Sequence, residues 1–206
     1  MQVTGNTSAT DTVLLPEPRT RSAMSLEQAL SERRSTREYR DAPVSLGEIG
    51  QLAWAAQGVT HAGYRSAPSA GALYPLELYM VVGKADGAQP GVYKYLPGGH
   101  RLKRVRAGDL RDALSRAVLG QDCVRDAAGV LVLAAVERRT TRKYGARGVR
   151  YIHMEVGHAA QNALLQATSL GLGAVVVGAF DDAAVKTLLG LPAEEQALCL
   201  LPFGRP

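Results

Sequence analysis

Apolar residues along this chain follow two patterns, one typical of buried strands and one typical of helices. Residues 130–136 form a continuous apolar run with β-branched side chains, which predicts a strand buried on both faces of a sheet. Residues 151–170 predict the longest helix, and their small side chains allow another backbone to approach closely. Further strands are predicted over 76–82, 91–95, 102–105, 174–180 and 197–203. Together these elements predict one α+β domain with a mostly buried central sheet.

Capping signals predict where the other helices begin and end. Ser25 and Ser45 each stand three residues before a Gln or a Glu, which is the pattern that opens a helix. The first helix is expected to end near Arg33 and the second at Gly58, a candidate C-cap glycine. Shorter helices are predicted over 109–119 and over 182–189, where Gly190 closes the second.

The start of the chain differs in composition from the rest. Residues 1–24 are polar and then contain prolines, so they predict an extended tail, which in a homodimer could wrap around the partner. Residues 25–206 predict a single domain, and a chain with 46% hydrophobic and 21% charged residues can bury a sizeable core. No apolar run has the length of a membrane span and the start lacks signal-peptide features, so we expect a cytoplasmic protein without a membrane partner.

The positive net charge of the chain suggests nucleic-acid binding as one possible function. The charge is +5, and the arginines cluster in 33–40, 101–106 and 138–150, but no nucleic-acid-binding motif accompanies them. We therefore expect no nucleic-acid partner, and general polyanion binding is an alternative that rests on charge alone. Cys123 and Cys199 lack the spacing of metal ligands and stand in apolar settings, so they predict buried free thiols.

A run of three guanidiniums and two hydroxyls, Arg33-Arg34-Ser35-Thr36-Arg37, follows the first predicted helix. The planar fork of donors on arginine fits phosphate oxygens two at a time. The run is therefore a candidate site for a phosphate, or for a molecule that carries a phosphate at one end. Taken by itself, a solvated basic turn is the more common structure for such a run.

Two other patterns suggest chemistry that their spacing does not support. His153 and His158 are five residues apart and diverge by about 140° on a helix, whereas zinc helices use histidines four apart, so we expect no metal site. The glycines of 171–178 follow a helix and open a strand, which is the reverse of the dinucleotide-binding order. What remains is a helix-to-strand turn, whose end at Val177-Gly178 could let a flat ligand approach the backbone.

A loop of small residues and a Lys-Tyr pair are further candidates. Residues 68–75 place small side chains between two prolines, so a planar ring could lie against the backbone near the Ser69 hydroxyl; the alternative is a tight surface loop. Lys143 beside Tyr144 could lower the pKa of the phenol and provide a general acid or base. The alternative for this pair is a solvated charged loop.

Seven segments carry a resemblance to a known family: LSERRSTREY, LAWAAQGVT, RSAPSAGALYPLELYMV, GVYKYLPGGHRL, KYGARGVRYIHMEVGHAAQN, GLGAVVVGAFDD and LPFGRP. In this order they resemble the nitroreductase superfamily of FMN-dependent oxidoreductases, and within it the SagB-type dehydrogenases, over about residues 15–206. The resemblance implies an α+β, nitroreductase-like fold with a central, mostly antiparallel sheet flanked by helices. It also implies an intertwined homodimer with two FMN sites at the interface.

The resemblance assigns the arginine run to the flavin. Arg33 and Ser35, with Arg34 beside them, correspond to residues that hold the FMN phosphate and ribityl chain. Arg37 corresponds to a cation at the N1/O2 edge of the ring, where a fixed positive charge stabilises the anionic reduced flavin. Arg205 stands near the position of another phosphate-binding cation in the family.

The remaining cofactor contacts that the resemblance implies come from two backbone segments. The loop formed by Pro68, Ser69, Ala70 and Gly71 would come from the partner subunit and flank the ring. Val177 and Gly178 would lie under the ring, with a backbone N–H near N5.

The function that the resemblance implies is hydride transfer at an interface flavin. The protein would transfer hydride between a nicotinamide donor, NAD(P)H, or a small organic substrate and an acceptor. In azoline dehydrogenases of this branch, which aromatise thiazoline and oxazoline rings in modified peptides, a catalytic Lys-Tyr pair removes a ring proton, and Lys143-Tyr144 matches that pair. Those enzymes are usually longer and act with a cyclodehydratase, so azoline oxidation is an alternative here. A flavin-binding protein without turnover is a further alternative.

Overall fold

One antiparallel sheet organises the part of the protein that the computed structural model describes, residues 12–206. In chain order the elements are β1 (Thr12–Leu14), α1 (Leu26–Glu32), β2 (Val44–Ser45), α2 (Leu46–Gln57), β3 (Leu76–Val82), β4 (Ala85–Asp86), β5 (Gly91–Leu96), β6 (Arg101–Ala107), α3 (Arg111–Ala117), α4 (Asp122–Asp126), β7 (Gly129–Val136), α5 (Arg138–Tyr144), α6 (Arg147–Ser169), β8 (Gly173–Ala174), α7 (Asp182–Leu189) and β9 (Glu195–Gly204). Short 3-10 turns lie at His61–Gly63, Ala70–Ala72 and Pro97–Gly99.

The sheet has seven strands in the order β1-β6-β5-β3-β7-β9-β8, and every neighbouring pair is antiparallel. A separate parallel pair joins β2 to β4. All eight residues of β7 are buried, because this strand lies near the middle of the sheet and is covered on both faces. The α+β class with a mostly antiparallel central sheet, predicted from the sequence, is confirmed.

Side chains alternate between two hydrophobic layers, one on each face of the sheet. Along β3, Leu78 and Met80 face the layer that contains α2 and α6, whereas Tyr79 and Val81 face the layer that contains α3 and α7. The helices therefore cover both faces, which makes a three-layer domain. Cys123 and Cys199 are both buried and free, as predicted.

The longest helix, α6, has 23 residues and is apolar along one face only. Its buried stripe includes Ile152, Val156 and Ala159, which pack against the sheet and α2. The opposite stripe is exposed at helical spacing and consists of Arg150, His153, Met154, Gly157, His158 and Gln161. Met154 is 52% exposed, so this face has no partner within residues 12–206.

The predicted capping signals act largely as expected. Ser25 accepts a hydrogen bond from the N–H of Gln28 and opens α1. Ser45 opens α2 with a complete capping box, because Glu48 returns a bond to the Ser45 N–H. Gly58 does end α2, but with φ −65° rather than in the left-handed region. A Cβ at Gly58 would lie 2.1 Å from a ring carbon of Trp54, so close packing explains this glycine.

Three stretches differ from the sequence-based expectation. Residues 174–180 form a regular strand only at β8 and then follow the edge of β9 irregularly, with Val177 bridged to Leu200 and Val176 exposed. The helix expected over 109–119 is shorter, and α4 follows it. Helix α5 was not predicted, because its seven residues are polar and carry no apolar period.

The predicted N-terminal tail is partly outside the described residues, which begin at Thr12. The described part lies on the domain: β1 pairs with β6, the Arg19 N–H donates to Gln51 at 2.8 Å, and the hydroxyls of Ser22 and Ser169 are 2.7 Å apart. The role of residues 1–24 as a tail that wraps a partner stays a prediction. Along residues 12–206, no helix combines the length and the apolarity that a membrane crossing requires.

Candidate functional site

The arginine run lies along one edge of the sheet. Arg33 ends α1, where its N–H donates to the carbonyl of Ala29. Ser35 then pairs with Ala174 of β8, and the Thr36 N–H donates to the Ala174 carbonyl at 3.1 Å. A short parallel contact therefore fixes the backbone of the run beside the glycine-rich segment that follows α6.

A glycine makes this close approach possible. A Cβ at Gly173 would lie 2.5 Å from the methyl carbon of Thr36, so a larger residue there would push the run away from the sheet. Tyr39 holds the other side, because its hydroxyl lies 2.7 Å from the Thr36 carbonyl and 3.0 Å from that of Pro202. The run is thus a fixed part of the sheet edge rather than a free basic turn.

The side chains of the run are differently engaged. Arg33 is half-buried, whereas Ser35 and Arg37 are exposed and available to a ligand. Arg34 is exposed, but its guanidinium donates to the carbonyls of Ser31 and Arg33 and so covers the end of α1. The geometry therefore favours Arg33, Ser35 and Arg37 over Arg34 as ligands for an anion.

The end of the glycine-rich segment offers open backbone on the same edge. Val177 is buried and exchanges two hydrogen bonds with Leu200, at 2.8 and 3.0 Å. Gly178 follows it, is exposed, and a Cβ there would meet nothing within 4 Å. A flat ligand could lie against this backbone, as the sequence predicts. These residues form a first group with Arg33, Ser35 and Arg37.

A second group brings together the small-residue loop and the Lys-Tyr pair. A Cβ at Gly71 would lie 2.8 Å from the hydroxyl oxygen of Tyr144 and 2.9 Å from Lys143 Nζ. Both side chains therefore end against the loop backbone. The loop and the Lys-Tyr pair are therefore adjacent in the fold, although Gly71 and Lys143 are 72 residues apart in the sequence.

The loop has a conformation that side chains rarely adopt. Gly71, Ala72 and Tyr74 have φ values of +63°, +53° and +45°. Such backbone persists where the surroundings hold it, and it is common at functional sites. Here Ser69 Oγ accepts from the Tyr74 N–H at 2.9 Å, and the Arg139 guanidinium donates to the Tyr74 carbonyl at 3.0 Å.

Cations and rings alternate around the Lys-Tyr pair. Lys143 Nζ lies 5.4 Å from the centre of the Tyr144 ring, and that ring meets Tyr151 edge-on at 5.2 Å between centres. The Arg147 guanidinium lies 5.9 Å from the Tyr151 ring. The phenol of Tyr144 is therefore half-buried between a fixed ring and an ammonium group, an arrangement suited to proton transfer.

An ion network that the sequence analysis missed holds the helix of this pair. Arg139 of α5 contacts Glu77 at 2.5 Å, and Lys94 bridges Glu77 at 3.0 Å and Glu195 at 2.6 Å. The Tyr79 hydroxyl donates to Glu195, and burial together with this bond raises the pKa of Tyr79. The available signal was the presence of charged residues within otherwise apolar strands.

The arginine run and the Lys-Tyr pair lie at opposite ends of the sheet. Ser35 is beside Ala174, which pairs with Phe203, and Phe203 pairs with Gly129 at the start of β7. The Lys-Tyr pair follows Val136, the last residue of β7. Seven strand steps separate Ser35 from the end of β7 by about 23 Å, whereas Val177, bridged to Leu200 beside Val132, is four steps or about 13 Å from that end. Within one chain, the arginine run is therefore far from the Lys-Tyr pair.

Arg205 is engaged elsewhere than at the arginine run. Its guanidinium makes two bonds to the carboxylate of Glu48, at 2.8 and 2.9 Å, and that carboxylate also caps α2. Burial acts to raise the pKa of Glu48, but the bonds from Ser45 and Arg205 outweigh it and hold the pKa below its usual value. The phosphate-binding role of Arg205 stays a prediction.

Replacing Glu48 by Gln is expected to lower the free energy of unfolding by about 1–2 kcal/mol near neutral pH, because the charge-assisted bonds weaken. Because the pKa of Glu48 is depressed in the folded state, the ionised carboxylate stabilises the fold at pH values above about 4.5, the ordinary pKa of the group. This stabilisation is lost as the pH falls below that value. Urea unfolding across this range measures the difference, with exposed Glu194→Gln as the control. If the difference in free energy of unfolding between Glu48→Gln and the unmodified protein stays constant below pH 4.5, the assignment is contradicted.

A groove of about 1010 Å³ lies between α1, α2 and α6. Its walls include Trp54, Leu165 and Ser169, and none of the predicted cofactor residues lines it. On α6 the groove continues the exposed stripe described above. The groove and the stripe together make one open surface on this side of the domain.

Comparison with known proteins agrees with the fold. Residues 30–205 match the model of the nitroreductase family. The protein MJ1384 of Methanocaldococcus jannaschii, which carries a provisional name as a nitroreductase, is 48% identical over 181 residues, which are 87% of this chain and 90% of MJ1384. A solved structure from Ralstonia eutropha, also provisionally described as a nitroreductase, superposes with a TM-score of 0.82 at 33% identity and covers 95% of this chain and 89% of its own.

A further relative has a more specific name. McbC of Escherichia coli, the microcin B17-processing protein, is 32% identical over 145 residues, which are 68% of this chain. The match covers 53% of McbC, so this chain spans about half of that relative.

Proposed function

The chain belongs to the nitroreductase family, and from that premise we propose that it is an FMN-dependent oxidoreductase of the SagB-type branch that acts on a small molecule as a homodimer. The observation that carries the proposal is the pair of groups described above. One offers cations and open backbone, and the other offers a small-residue loop beside a general acid or base.

The residues on the sheet edge fit one end of a flavin. Arg33 and Ser35 would hold the phosphate and the ribityl chain, because guanidinium and hydroxyl donors suit phosphate oxygens. Arg37 would supply a fixed positive charge near the ring, and Gly178 leaves its backbone open to a planar group. When bound, FMN supplies reversible acceptance and release of hydride. Arg34, whose guanidinium covers the end of α1, would contribute through the local field, and the predicted bond from Arg205 to the phosphate would require its ion pair with Glu48 to open.

The separation of the arginine run from the Lys-Tyr pair within one chain supports the homodimer. A partner subunit could bring its Pro68–Gly71 segment and its Lys-Tyr pair to the arginine run of the first chain. The exposed stripe of α6 and the groove beside it offer a surface for that second copy. In such a dimer, each site takes half of its residues from each chain.

Azoline oxidation is the second candidate, and the Lys-Tyr pair favours it. In that chemistry Tyr144, assisted by Lys143, would take a proton from a ring carbon of the substrate. The resemblance to a microcin-processing protein supports this candidate. Reduction of a nitro or quinone compound with NAD(P)H would use the same flavin but would not require the pair.

Flavin uptake is the first test of the proposal. The purified protein is expected to be yellow, or to become yellow when the flavin-free protein is titrated with FMN. Colourless protein that takes up no FMN would refute the proposal. Salt-sensitive binding of nucleic acid without a chromophore would instead indicate polyanion binding.

Anaerobic mixing with NADPH separates the candidates. Rapid bleaching of the flavin would favour a reductase, whereas a flavin that only a thiazoline-containing peptide bleaches would favour the dehydrogenase. A flavin that no donor or acceptor cycles would indicate a non-catalytic flavin-binding protein. The cytoplasmic location and the absence of a nucleic-acid partner stay predictions.

A further inference from the structure

One carboxylate lies on the buried face of α6. Glu155 is 4% exposed and shares the inner stripe of the helix with Ile152, Val156 and Ala159. A buried charge is costly unless hydrogen bonds compensate it, so an acidic residue at this position calls for a specific partner.

The partners of Glu155 both belong to the small-residue loop. The Ala70 N–H donates to Glu155 Oε1 at 2.9 Å, and the Ser69 hydroxyl also hydrogen-bonds this carboxylate. Burial raises the pKa of Glu155, while these two bonds and the nearby His158 act to lower it. The carboxylate therefore connects the inner face of α6 to the loop backbone, 85 residues earlier in the chain.

The anchored residue is next to the point where the Lys-Tyr pair meets the loop. Ala70 precedes Gly71, whose backbone faces the ends of Lys143 and Tyr144. One turn before Glu155, Tyr151 of the same helix packs against the Tyr144 ring. Two successive turns of α6 therefore contact the loop and the pair.

We propose that Glu155 is a positioning residue, which fixes the Ser69–Gly71 backbone against Lys143 and Tyr144 so that the loop can flank the ring in the proposed flavin site. The proposal rests on the proposed function for its catalytic consequence only. The anchoring itself depends on the contacts within one chain. The loop needs such an anchor, because its residues at positive φ do not hold this conformation by themselves.

Hydrogen exchange of the flavin-free protein tests the anchor. Glu155→Ala is expected to speed exchange in peptides that cover 66–76 at least tenfold, while peptides of β7 stay as in the unmodified protein. Glu155→Gln is expected to stay within threefold of the unmodified protein, because its amide oxygen still accepts from Ala70. The exposed Glu194→Ala serves as the control. Unchanged loop exchange in Glu155→Ala would overturn the proposal.

If Glu155→Ala folds poorly, a second substitution still tests the anchor. Glu155→Asp keeps the charge and withdraws the carboxylate by one methylene group, so it is expected to loosen the same peptides without a change in β7. If exchange rises equally in the loop and in β7 for the Ala and the Asp variants alike, Glu155 supports the whole core, and the positioning role is overturned.

Turnover of the FMN-loaded protein tests the consequence. In Glu155→Ala, kcat is expected to fall at least tenfold while KM and FMN content stay within about twofold, and Glu155→Gln is expected to restore most of kcat. Loss of kcat in Glu155→Gln with normal loop exchange would overturn the proposal, because the charge rather than the anchor would then matter. Absence of FMN from the unmodified protein would refute the proposed function. The anchoring role of Glu155 would then still be decided by the hydrogen-exchange experiment.

Discussion

The double variant Arg33→Ala/Ser35→Ala is expected to bind FMN at least about 100-fold more weakly than the unmodified protein. Hydrogen bonds to a charged group contribute about 1.5–3 kcal/mol each, and about 1.4 kcal/mol changes an affinity tenfold. The loss of two such partners of a phosphate therefore leaves a protein that purifies almost without flavin. Titration of the flavin-free protein, followed by quenching of FMN fluorescence, measures the change.

A control separates lost contacts from lost folding. Lys103→Ala removes an exposed cation of β6, which is five strands away from β8 in the sheet, so FMN affinity is expected to be unchanged. The backbone of the run is held by Ala174 and Tyr39 rather than by the substituted side chains, so the double variant is expected to keep its melting temperature. Unchanged FMN affinity in a folded double variant would contradict the assignment of the run.

Tyr144→Phe is expected to lower the rate of substrate oxidation by about 10²–10⁴ if the Lys-Tyr pair transfers the proton, which is the usual contribution of a positioned acid or base. The phenylalanine ring can still pack against Tyr151, so FMN content is expected to be unchanged. Steady-state turnover of a thiazoline-containing peptide measures the effect. Reduction of the flavin by dithionite serves as the internal control, because this chemical reductant needs no proton from a phenol. Retained peptide turnover would remove Tyr144 from the mechanism.

Mixed dimers of these two variants test where the halves of the site come from. Each variant alone lacks one half in both of its sites. A dimer of one Arg33→Ala/Ser35→Ala chain and one Tyr144→Phe chain keeps one intact site if the halves come from different chains. Such dimers, isolated with two affinity tags, are expected to recover about half of the activity. Dimers without recovered activity would place both halves in one chain.

Much of the fold could be predicted because the sequence pattern and the final packing agree. The apolar run of β3 was predicted with the bounds that the structure shows. A strand covered on both faces needs an almost continuous run of apolar residues, and such a run is visible in the sequence. The capping box at Ser45 is a local device, and a local pattern was enough to find it. The predicted glycine end of α7 is also local, since Gly190 has φ +68°.

Other elements depend on contacts that are distant in sequence. Helix α5 has two arginines four residues apart and no side-chain cap, so it depends on the ion pair that Arg139 makes with Glu77 of β3. Strand β1 exists because three residues pair with β6. Neither partner can be identified from the short segment alone.

The candidate site shows the same division. The residue types of the predicted flavin site could be selected by their chemistry, but their distribution along the sheet required the strand order. The anchor at Glu155 had a signal in the helical period, which places this acidic residue on the apolar stripe of α6. Its partner Ala70 contributes only a backbone N–H, which leaves no pattern in a sequence.

The distance between the two groups along β7 has a consequence for how this protein would behave on dilution. If each site needs the arginine-run end of one sheet and the Lys-Tyr end of the partner's sheet, an isolated chain has no working centre, however well it is folded. Specific activity would then depend on protein concentration and fall once the dimers dissociate. Newly made chains would remain inactive until they meet, so that redox chemistry begins only with assembly.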